Sequence, residues 1–255
     1  MKNIFKPNMN IKRDRYTDDK LSRSVFSEQL KILQTKLDQV SKGKECRKIA
    51  ITSSIPDEGK TMLAANLSFQ LARGGGGRKV LLLDADIRKP SVTDFFNIKP
   101  VPGIAEYLTG KARIEDIVQT AGSGNFHVIP GGKYENSPDL LISEKFEKFL
   151  EIIGEKYNYV IIDTPPVIPV ADAVYIKKYV DGVIFVYRLD FTPYDMLSKA
   201  IEEIGSESII GVALNFLKYN KENKNILYKY GNSYYNLHDK SHFTPLLITD
   251  NNTRA

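Results

Sequence analysis

Short apolar stretches alternate with longer amphipathic ones through the middle of the chain. The apolar stretches predict strands at Lys48–Thr52, Val80–Asp84, Phe126–Ile129, Tyr159–Asp163, Gly182–Tyr187 and Ile209–Asn215. The stretches between them predict helices at Lys60–Arg73, Ser143–Lys156, Val170–Tyr179 and Tyr194–Gly205. Nearly continuous apolar strands separated by helices are typical of a mostly parallel sheet with helices on both faces. The predicted fold class is therefore α/β, and nothing in the alternation divides it into two cores.

A further amphipathic helix precedes the first strand. Apolar residues recur at helical spacing from Val25 to Val40, at positions 25, 26, 30, 33, 37 and 40. Residues 1–24 are polar with charges of both signs, and we expect a flexible arm there. Residues 25–218 are predicted to form one domain that includes this helix, followed by a mobile, tyrosine-rich tail at 219–255.

Four consecutive glycines, Gly74–Gly77, lie between a predicted helix and the next strand. Glycine ends helices because it adopts positive φ without a steric cost. A glycine-rich phosphate loop would need a helix after it, and none follows, so the run is interpreted as a connector.

The composition is that of a soluble globular protein and excludes several classes. Of 255 residues, 42% are hydrophobic and 26% charged, and no apolar run approaches the roughly 18 residues that span a bilayer. The first twenty residues lack the apolar segment of a signal peptide. Cys46 is the only cysteine, which excludes a disulfide framework and agrees with a reducing cytoplasm. The net charge of +5 is interpreted as a solvated surface, and no nucleic-acid partner is expected.

The sharpest local motif is SSIPDEGKT at 53–61, which follows an apolar strand and opens a helix. Such a loop directs backbone N–H groups and a helix N-terminus at an anion. Lys60 is predicted to reach the β- and γ-phosphates of a nucleotide, and the Thr61 hydroxyl to bind Mg²⁺. The general pattern has glycine at position 54, where this chain has serine. The predicted nucleotide contacts are Ser54, Asp57, Glu58, Gly59, Lys60, Thr61 and Met62.

Two further strands end in acidic residues. The strand at Val80–Asp84 continues into Asp86 and Arg88, and the strand at Tyr159–Asp163 ends in Asp163 itself. Ligands of open parallel sheets bind outside the carboxyl ends of the strands. Either aspartate alone would fit a helix cap, but three such strand ends together predict a Mg²⁺–nucleotide site.

Together these motifs resemble the bacterial tyrosine kinases (BY-kinases) of capsular and exopolysaccharide synthesis. The resemblance rests on SSIPDEGKT at 53–61, LLLDADIRKP at 81–90, IIDTPP at 161–166 and the tyrosines near the C-terminus, and it covers residues 25–235. That family has Walker A, A′ and B motifs on a P-loop fold and transfers the γ-phosphate of ATP to tyrosine. The resemblance therefore implies a P-loop NTPase-like fold, ATP and Mg²⁺ as ligands, and a protein-tyrosine kinase.

The resemblance also implies a role for each motif. Lys60 and the metal ion would balance charge on the γ-phosphate, while Thr61, Asp84 and Asp163 would hold Mg²⁺. Asp86 would accept or orient the phenol proton. For Arg88, two interpretations stay open: a contact with phosphate or an acidic segment, and a structural salt bridge.

The tail carries Tyr228, Tyr230, Tyr234 and Tyr235 in an otherwise polar segment. In the family such a cluster is phosphorylated by a neighbouring molecule, and each phosphate adds about −1.5 to −2 charges. The alternative is an aromatic-rich disordered tail. Tyr187, Tyr194 and Tyr219 lie outside the cluster and are interpreted as packing residues.

The chain departs from the family pattern in the helix before the first strand. There the family often has Glu-x-x-Arg-x-x-Arg, which packs subunits into a ring, whereas this chain has Glu28, Lys31 and Gln34. Lysine lacks the planar fork of arginine and glutamine lacks the charge, so ring assembly is in doubt. The absence of a membrane span resembles the split type of the family. We therefore expect a cytoplasmic protein that is recruited to the inner face of the membrane and activated by the cytoplasmic tail of a polysaccharide chain-length regulator.

Two alternatives remain. A partitioning or division-type switch ATPase would carry a signature lysine where this chain has Ile55. A non-catalytic ATP-binding regulator would agree with the altered helix at Glu28–Gln34. A dinucleotide-dependent redox enzyme is disfavoured, because no Gly-x-Gly-x-x-Gly follows the first strand.

Overall fold

The computed structural model describes residues 25–40, 47–122, 124–133 and 140–215. These residues build one seven-stranded sheet in the order β3-β4-β2-β5-β1-β6-β7. Every neighbouring pair is parallel except β3 and β4, which are antiparallel. The strands are β1 (Arg47–Ser53), β2 (Val80–Asp84), β3 (Gln119–Thr120), β4 (Phe126–Ile129), β5 (Tyr159–Asp163), β6 (Gly182–Arg188) and β7 (Ile209–Asn215). The predicted arm, Cys46 and the predicted tail, with its four tyrosines, lie outside the described residues.

Seven α-helices connect these strands within the described residues. They are α1 (Val25–Val40), α2 (Lys60–Arg73), α3 (Ile104–Leu108), α4 (Ile114–Ile117), α5 (Glu144–Gly154), α6 (Asp172–Ile176) and α7 (Tyr194–Ile204). Short 3₁₀ turns lie at Val92–Asp94, Leu140–Ile142, Lys177–Tyr179 and Ser206–Ser208.

The six predicted strands and five predicted helices are confirmed, with shifts at some ends. The predicted helix at Ser143–Lys156 begins one residue later, because the Ser143 hydroxyl caps it by accepting the Phe146 N–H. The predicted helix at Val170–Tyr179 is shorter, since α6 gives way to a 3₁₀ turn at Lys177. The elements β3, α3 and α4 were not predicted, because two to five residues show no periodicity.

Helices cover both faces of the sheet. Alternate residues of a strand face opposite layers: in β2, Val80 and Leu82 pack with α1 and α2, whereas Leu81 and Leu83 pack with the helices α3 to α7. Both faces of the central strands are therefore dry, which explains why their sequences are apolar without alternation.

The glycine run is a connector, as predicted. The Gly74 N–H closes the last turn of α2 on the Leu71 carbonyl, and Gly75, Gly76 and Gly77 all have positive φ before the chain enters β2. This backbone conformation ends α2, and the next element is the strand β2 and not a helix.

A polar cluster ties the C-terminal half of α1 to the start of β5. Asp38 accepts hydrogen bonds from the Tyr159 hydroxyl and from Arg78 Nη1, the latter at 3.0 Å. Arg47 Nη1 donates to the same hydroxyl at 3.0 Å, and its guanidinium lies 5.1 Å from the Tyr159 ring centre. Burial, reinforced by Asp38, raises the pKa of Tyr159 to about 12, so this hydroxyl remains a donor.

Two adjacent residues of α1 test whether this helix belongs to the stable core. Leu33 is 2% exposed and packs against α2, whereas Ile32 is 46% exposed. We expect Leu33→Ala to lower the free energy of unfolding by roughly 2–5 kcal/mol and Ile32→Ala to change it by less than about 0.5 kcal/mol. Urea denaturation measures both values, and equal midpoints for the two variants would contradict the packing of α1.

Candidate functional site

The loops that follow β1, β2 and β5 are connected at one edge of the sheet. The Ala85 N–H donates to the Asp163 carbonyl at 2.8 Å, and the Thr164 N–H to the Ile51 carbonyl at 3.1 Å. Beyond Asp163, the N–H groups of residues 167 and 168 donate to the carbonyls of residues 53 and 54 at 2.8 and 3.1 Å. The three strand-end motifs that the sequence singled out are therefore brought together.

The loop at 53–61 has the backbone shape of an anion site. Gly59 caps α2 in the left-handed conformation, with φ of 96°, and Asp57 is also left-handed, with φ of 64°. The first hydrogen bond within the helix runs from the Leu63 N–H to the Gly59 carbonyl at 3.0 Å. The N–H groups of residues 59–62 precede that bond and have no acceptor inside the helix, so they are available to phosphate oxygens.

Glu58 lies inside this loop, and its carboxylate is buried. Oε2 accepts the Ile55 N–H at 2.8 Å, while Oε1 accepts the Arg188 N–H at 3.1 Å and the Thr192 hydroxyl at 2.6 Å. The Asn215 amide donates to the Glu58 carbonyl at 2.7 Å. The Glu58 side chain thus joins the loop to β6 and the segment before α7, and the Glu58 carbonyl joins it to β7.

Lys60 and Asp86 form a nearly buried pair. The Lys60 ammonium lies 3.7 Å from Asp86 Oδ2, and each side chain is at most one-tenth exposed. Burial raises the pKa of Asp86, and the positive charge of Lys60 opposes that rise. The pair brings an acid and a cation together beside the N-terminus of α2.

Asp163 is fully buried, and its carboxylate oxygens accept no hydrogen bond within the described part of the chain. Burial raises its pKa to about 7, although Lys60 and the Thr61 hydroxyl act in the opposite direction. The Ser54 hydroxyl in the neighbouring loop is likewise buried without a partner there. Two unsatisfied carboxylate oxygens beside a threonine hydroxyl are the hard donors that Mg²⁺ prefers, so these residues fit a metal ion.

Asp84 differs from Asp163, its register partner in β5. Asp84 Oδ2 accepts the N–H groups of Ser91 and Val92 at 3.0 Å each, and Oδ1 accepts that of Asp86 at 3.2 Å. Burial, followed by the proximity of Asp163, raises its pKa well above the ordinary range. Asp84 therefore shapes the loop that follows β2, and its predicted contact with Mg²⁺ remains a prediction.

Ser91 is a site residue that the sequence analysis missed. Its hydroxyl lies 3.1 Å from the Thr61 hydroxyl, so it contacts the predicted metal-binding group directly. The available signal was its place one residue beyond the LLLDADIRKP motif.

Comparison with known proteins identifies the family. The family described as AAA domain matches residues 46–205. Tyrosine-protein kinase YwqD of Bacillus subtilis (strain 168) is 33% identical over 205 residues, which make up 79% of this chain and 86% of YwqD. The chain belongs to the bacterial tyrosine kinase family.

Other members of this kinase family agree with that assignment. The solved kinase domain of Escherichia coli tyrosine kinase ETK has a TM-score of 0.70 at 30% identity and covers 74% of each chain. The succinoglycan biosynthesis transport protein ExoP of Rhizobium meliloti (strain 1021) is 32% identical over 208 residues. Those residues cover 79% of this chain and 26% of ExoP, so the match is to about a quarter of that protein. The P-loop NTPase-like fold is therefore confirmed.

The structure shows the surroundings of Arg88 and of two of the three tyrosines outside the cluster. Arg88 Nε donates to Asp172 Oδ2 at 2.9 Å, so Arg88 forms a structural ion pair with the start of α6.

Tyr187 is half-buried and donates to the Thr192 carbonyl at 3.2 Å, as expected of a packing residue. The same interpretation is wrong for Tyr194, which is 78% exposed because it opens α7 on the solvent side. Tyr219 lies outside the described residues.

The altered residues of α1 are engaged within the same chain. Lys31 pairs with Glu28 at 2.6 Å, and the Gln34 side-chain oxygen accepts from Gln70 of α2 at 3.3 Å. Within the described ranges, no helix is both long and apolar enough to cross a bilayer.

The buried carboxylate of Asp163 predicts a dependence of stability on pH. Between about pH 4 and pH 7 the unfolded chain loses this proton while the folded protein retains it, so burial of Asp163 costs stability as the pH rises. We expect Asp163→Asn to gain stability over the unsubstituted protein through that window, by on the order of a few kcal/mol, and to keep a constant advantage above it. Urea denaturation at a series of pH values with a chelator present measures the difference. A difference that does not vary with pH would contradict this account.

Proposed function

We propose that the protein is an ATP- and Mg²⁺-dependent protein-tyrosine kinase that phosphorylates its own C-terminal tyrosines and regulates capsular or exopolysaccharide synthesis or export. One observation carries the proposal. Lys60, Asp86 and the unsatisfied Asp163 carboxylate are buried together beside the free N–H groups that open α2. Phosphoryl transfer requires this combination of charge balance, a proton acceptor and fixed phosphate donors.

Asp163 and Thr61 are the residues that would hold Mg²⁺, with Asp84 as a further candidate. Asp163 has both carboxylate oxygens unsatisfied, whereas Asp84 already accepts three backbone hydrogen bonds. When bound, Mg²⁺ neutralises charge on the phosphate oxygens. Direct coordination by Asp163 would also relieve the desolvation that raises its pKa.

The N–H groups of residues 59–62 bind the phosphates of ATP, and Lys60 turns from Asp86 to the γ-phosphate. Asp86 is then free to accept the proton of the tyrosine hydroxyl while that oxygen attacks the γ-phosphorus. The bond between the γ-phosphorus and the bridging oxygen breaks, and ADP leaves. The raised pKa of Asp86 makes it a better proton acceptor than a solvated carboxylate.

The acceptors in this proposal are Tyr228, Tyr230, Tyr234 and Tyr235, presented by a neighbouring molecule. Support comes from the sequence alone, since the cluster lies in an otherwise polar segment. Contact between molecules occurs through the tail. A ring built on α1 is disfavoured because Lys31 lacks the planar fork of arginine and Gln34 lacks its charge.

A membrane partner completes the proposal. The relative ExoP is named as a succinoglycan biosynthesis transport protein, and 26% of it matches this chain. We infer that the cytoplasmic tail of a membrane protein, a polysaccharide chain-length regulator, activates the kinase and recruits it from the cytoplasm to the inner face of the membrane.

The proposal is tested by incubating the full chain with ATP, Mg²⁺ and the cytoplasmic segment of the activator. We expect phosphotyrosine at residues 228–235 by mass spectrometry, and a loss of about a hundredfold or more in Lys60→Met, because Lys60 balances charge on the transferred group. Lys99→Met makes the same change at an exposed site and should leave the rate unaltered.

Each other outcome contradicts the kinase proposal. Steady ATP hydrolysis without phosphotyrosine would favour the switch ATPase. Binding of ATP without turnover, even with the activator segment present, would favour a non-catalytic regulator.

A further inference from the structure

The end of β6 and the segment between β6 and α7 contact the phosphate loop (residues 53–61), from which they are more than a hundred residues away in the sequence. Thr192 lies in this segment and is buried, and its hydroxyl donates to Glu58 Oε1 at 2.6 Å. The backbone N–H of Arg188 donates to the same oxygen at 3.1 Å, and the Arg188 guanidinium donates to the Asp57 carbonyl at 3.0 Å. The end of β6 and the segment after it thus hold two consecutive residues of the loop.

Two further hydrogen bonds hold the backbone of Thr192. The Thr192 N–H donates to the Arg188 carbonyl at 3.2 Å, and the Thr192 carbonyl accepts the Tyr187 hydroxyl at 3.2 Å. These two bonds fix the backbone of Thr192 independently of its contact with the loop. A hydroxyl that donates to a buried carboxylate forms a short and comparatively strong hydrogen bond, and the 2.6 Å distance agrees with such a bond.

The direction of the Gly59 N–H depends on how the Glu58 carbonyl is held. The Glu58 carbonyl is held by the Asn215 amide at 2.7 Å, and the two ends of a planar trans peptide point in opposite directions. Fixing the Glu58 carbonyl therefore turns the Gly59 N–H away from β7. Gly59, with φ of 96°, has no steric restriction of its own to keep that orientation, so the bonds to Glu58 supply it.

We propose that Thr192 is a positioning residue for nucleotide binding: through Glu58 it holds the phosphate loop in the shape that receives the nucleotide phosphates. This inference rests on the proposed function only in requiring that MgATP binds at the loop. Without the Thr192 hydroxyl, Glu58 Oε1 keeps the Arg188 N–H alone, and the loop samples orientations that do not bind phosphate.

The test compares Thr192→Val, which removes the hydroxyl and keeps the branched shape, with Thr192→Ser, which keeps the hydroxyl. Isothermal titration of the full chain with MgATP should give a dissociation constant raised about tenfold for Thr192→Val and restored to within about twofold by Thr192→Ser. Thr109→Val removes an exposed hydroxyl that bonds within α3, and it should bind as the unsubstituted chain does.

Unfolding midpoints distinguish a loss of loop positioning from a general loss of stability. A lower midpoint for Thr192→Val with an unchanged dissociation constant would overturn the inference, as would equal weakening in Thr192→Ser. Absence of MgATP binding by the unsubstituted chain would overturn it too, since no competent loop would exist. If the unsubstituted chain binds MgATP but forms no phosphotyrosine, the kinase proposal fails while the ratio of dissociation constants still decides the role of Thr192.

Discussion

Three carboxylates and one ammonium group are buried around the ends of β2 and β5, and the rest of the site is arranged about them. Burial raises the pKa of Asp84, Asp86 and Asp163, because water no longer solvates their charges. Lys60 offsets part of that cost for Asp86 and Asp163. A further positive charge beside these carboxylates would therefore be stabilising, which agrees with the proposed Mg²⁺.

The three acids meet that constraint in different ways. Asp84 accepts backbone N–H groups and Asp86 pairs with Lys60 and the Lys89 N–H, whereas Asp163 accepts no hydrogen bond among the described residues. Asp84 thus shapes a loop, Asp86 pairs with a lysine, and Asp163 has unsatisfied carboxylate oxygens. Because all three lie at or just beyond strand ends, their positions in the sequence do not predict these different surroundings.

Much of the architecture was predictable because it rests on local pattern. The strands β1, β2, β5 and β6 are buried on both faces and therefore read as apolar runs, and the N-terminus of α2 is fixed by the motif at 53–61. The strand β3 was not predicted, because two residues are too few to show a strand pattern in the sequence.

Only the site residues that lie within the sequence motifs were predictable. Ser91 and Thr192 act on Thr61 and Glu58, to which only the folded chain brings them close. Glu58 was recognised as part of the loop, but two of the three hydrogen bonds to its carboxylate come from residues more than a hundred positions away. Tyr194 was misjudged because an aromatic residue at the start of a helix reveals nothing about which side faces solvent.

Asn215 is the last residue of β7, and its amide holds the Glu58 carbonyl. Everything beyond it in the chain is consequently tethered at the phosphate loop. About thirteen residues separate Asn215 from Tyr228, and a fully extended chain of that length spans at most about 45 Å. Any arrangement of two molecules in which one presents Tyr228 to the other must therefore bring their phosphate loops within that contour length. Tyr235 lies seven residues further along and reaches correspondingly farther, so the spacing of the two loops would select among the tyrosines.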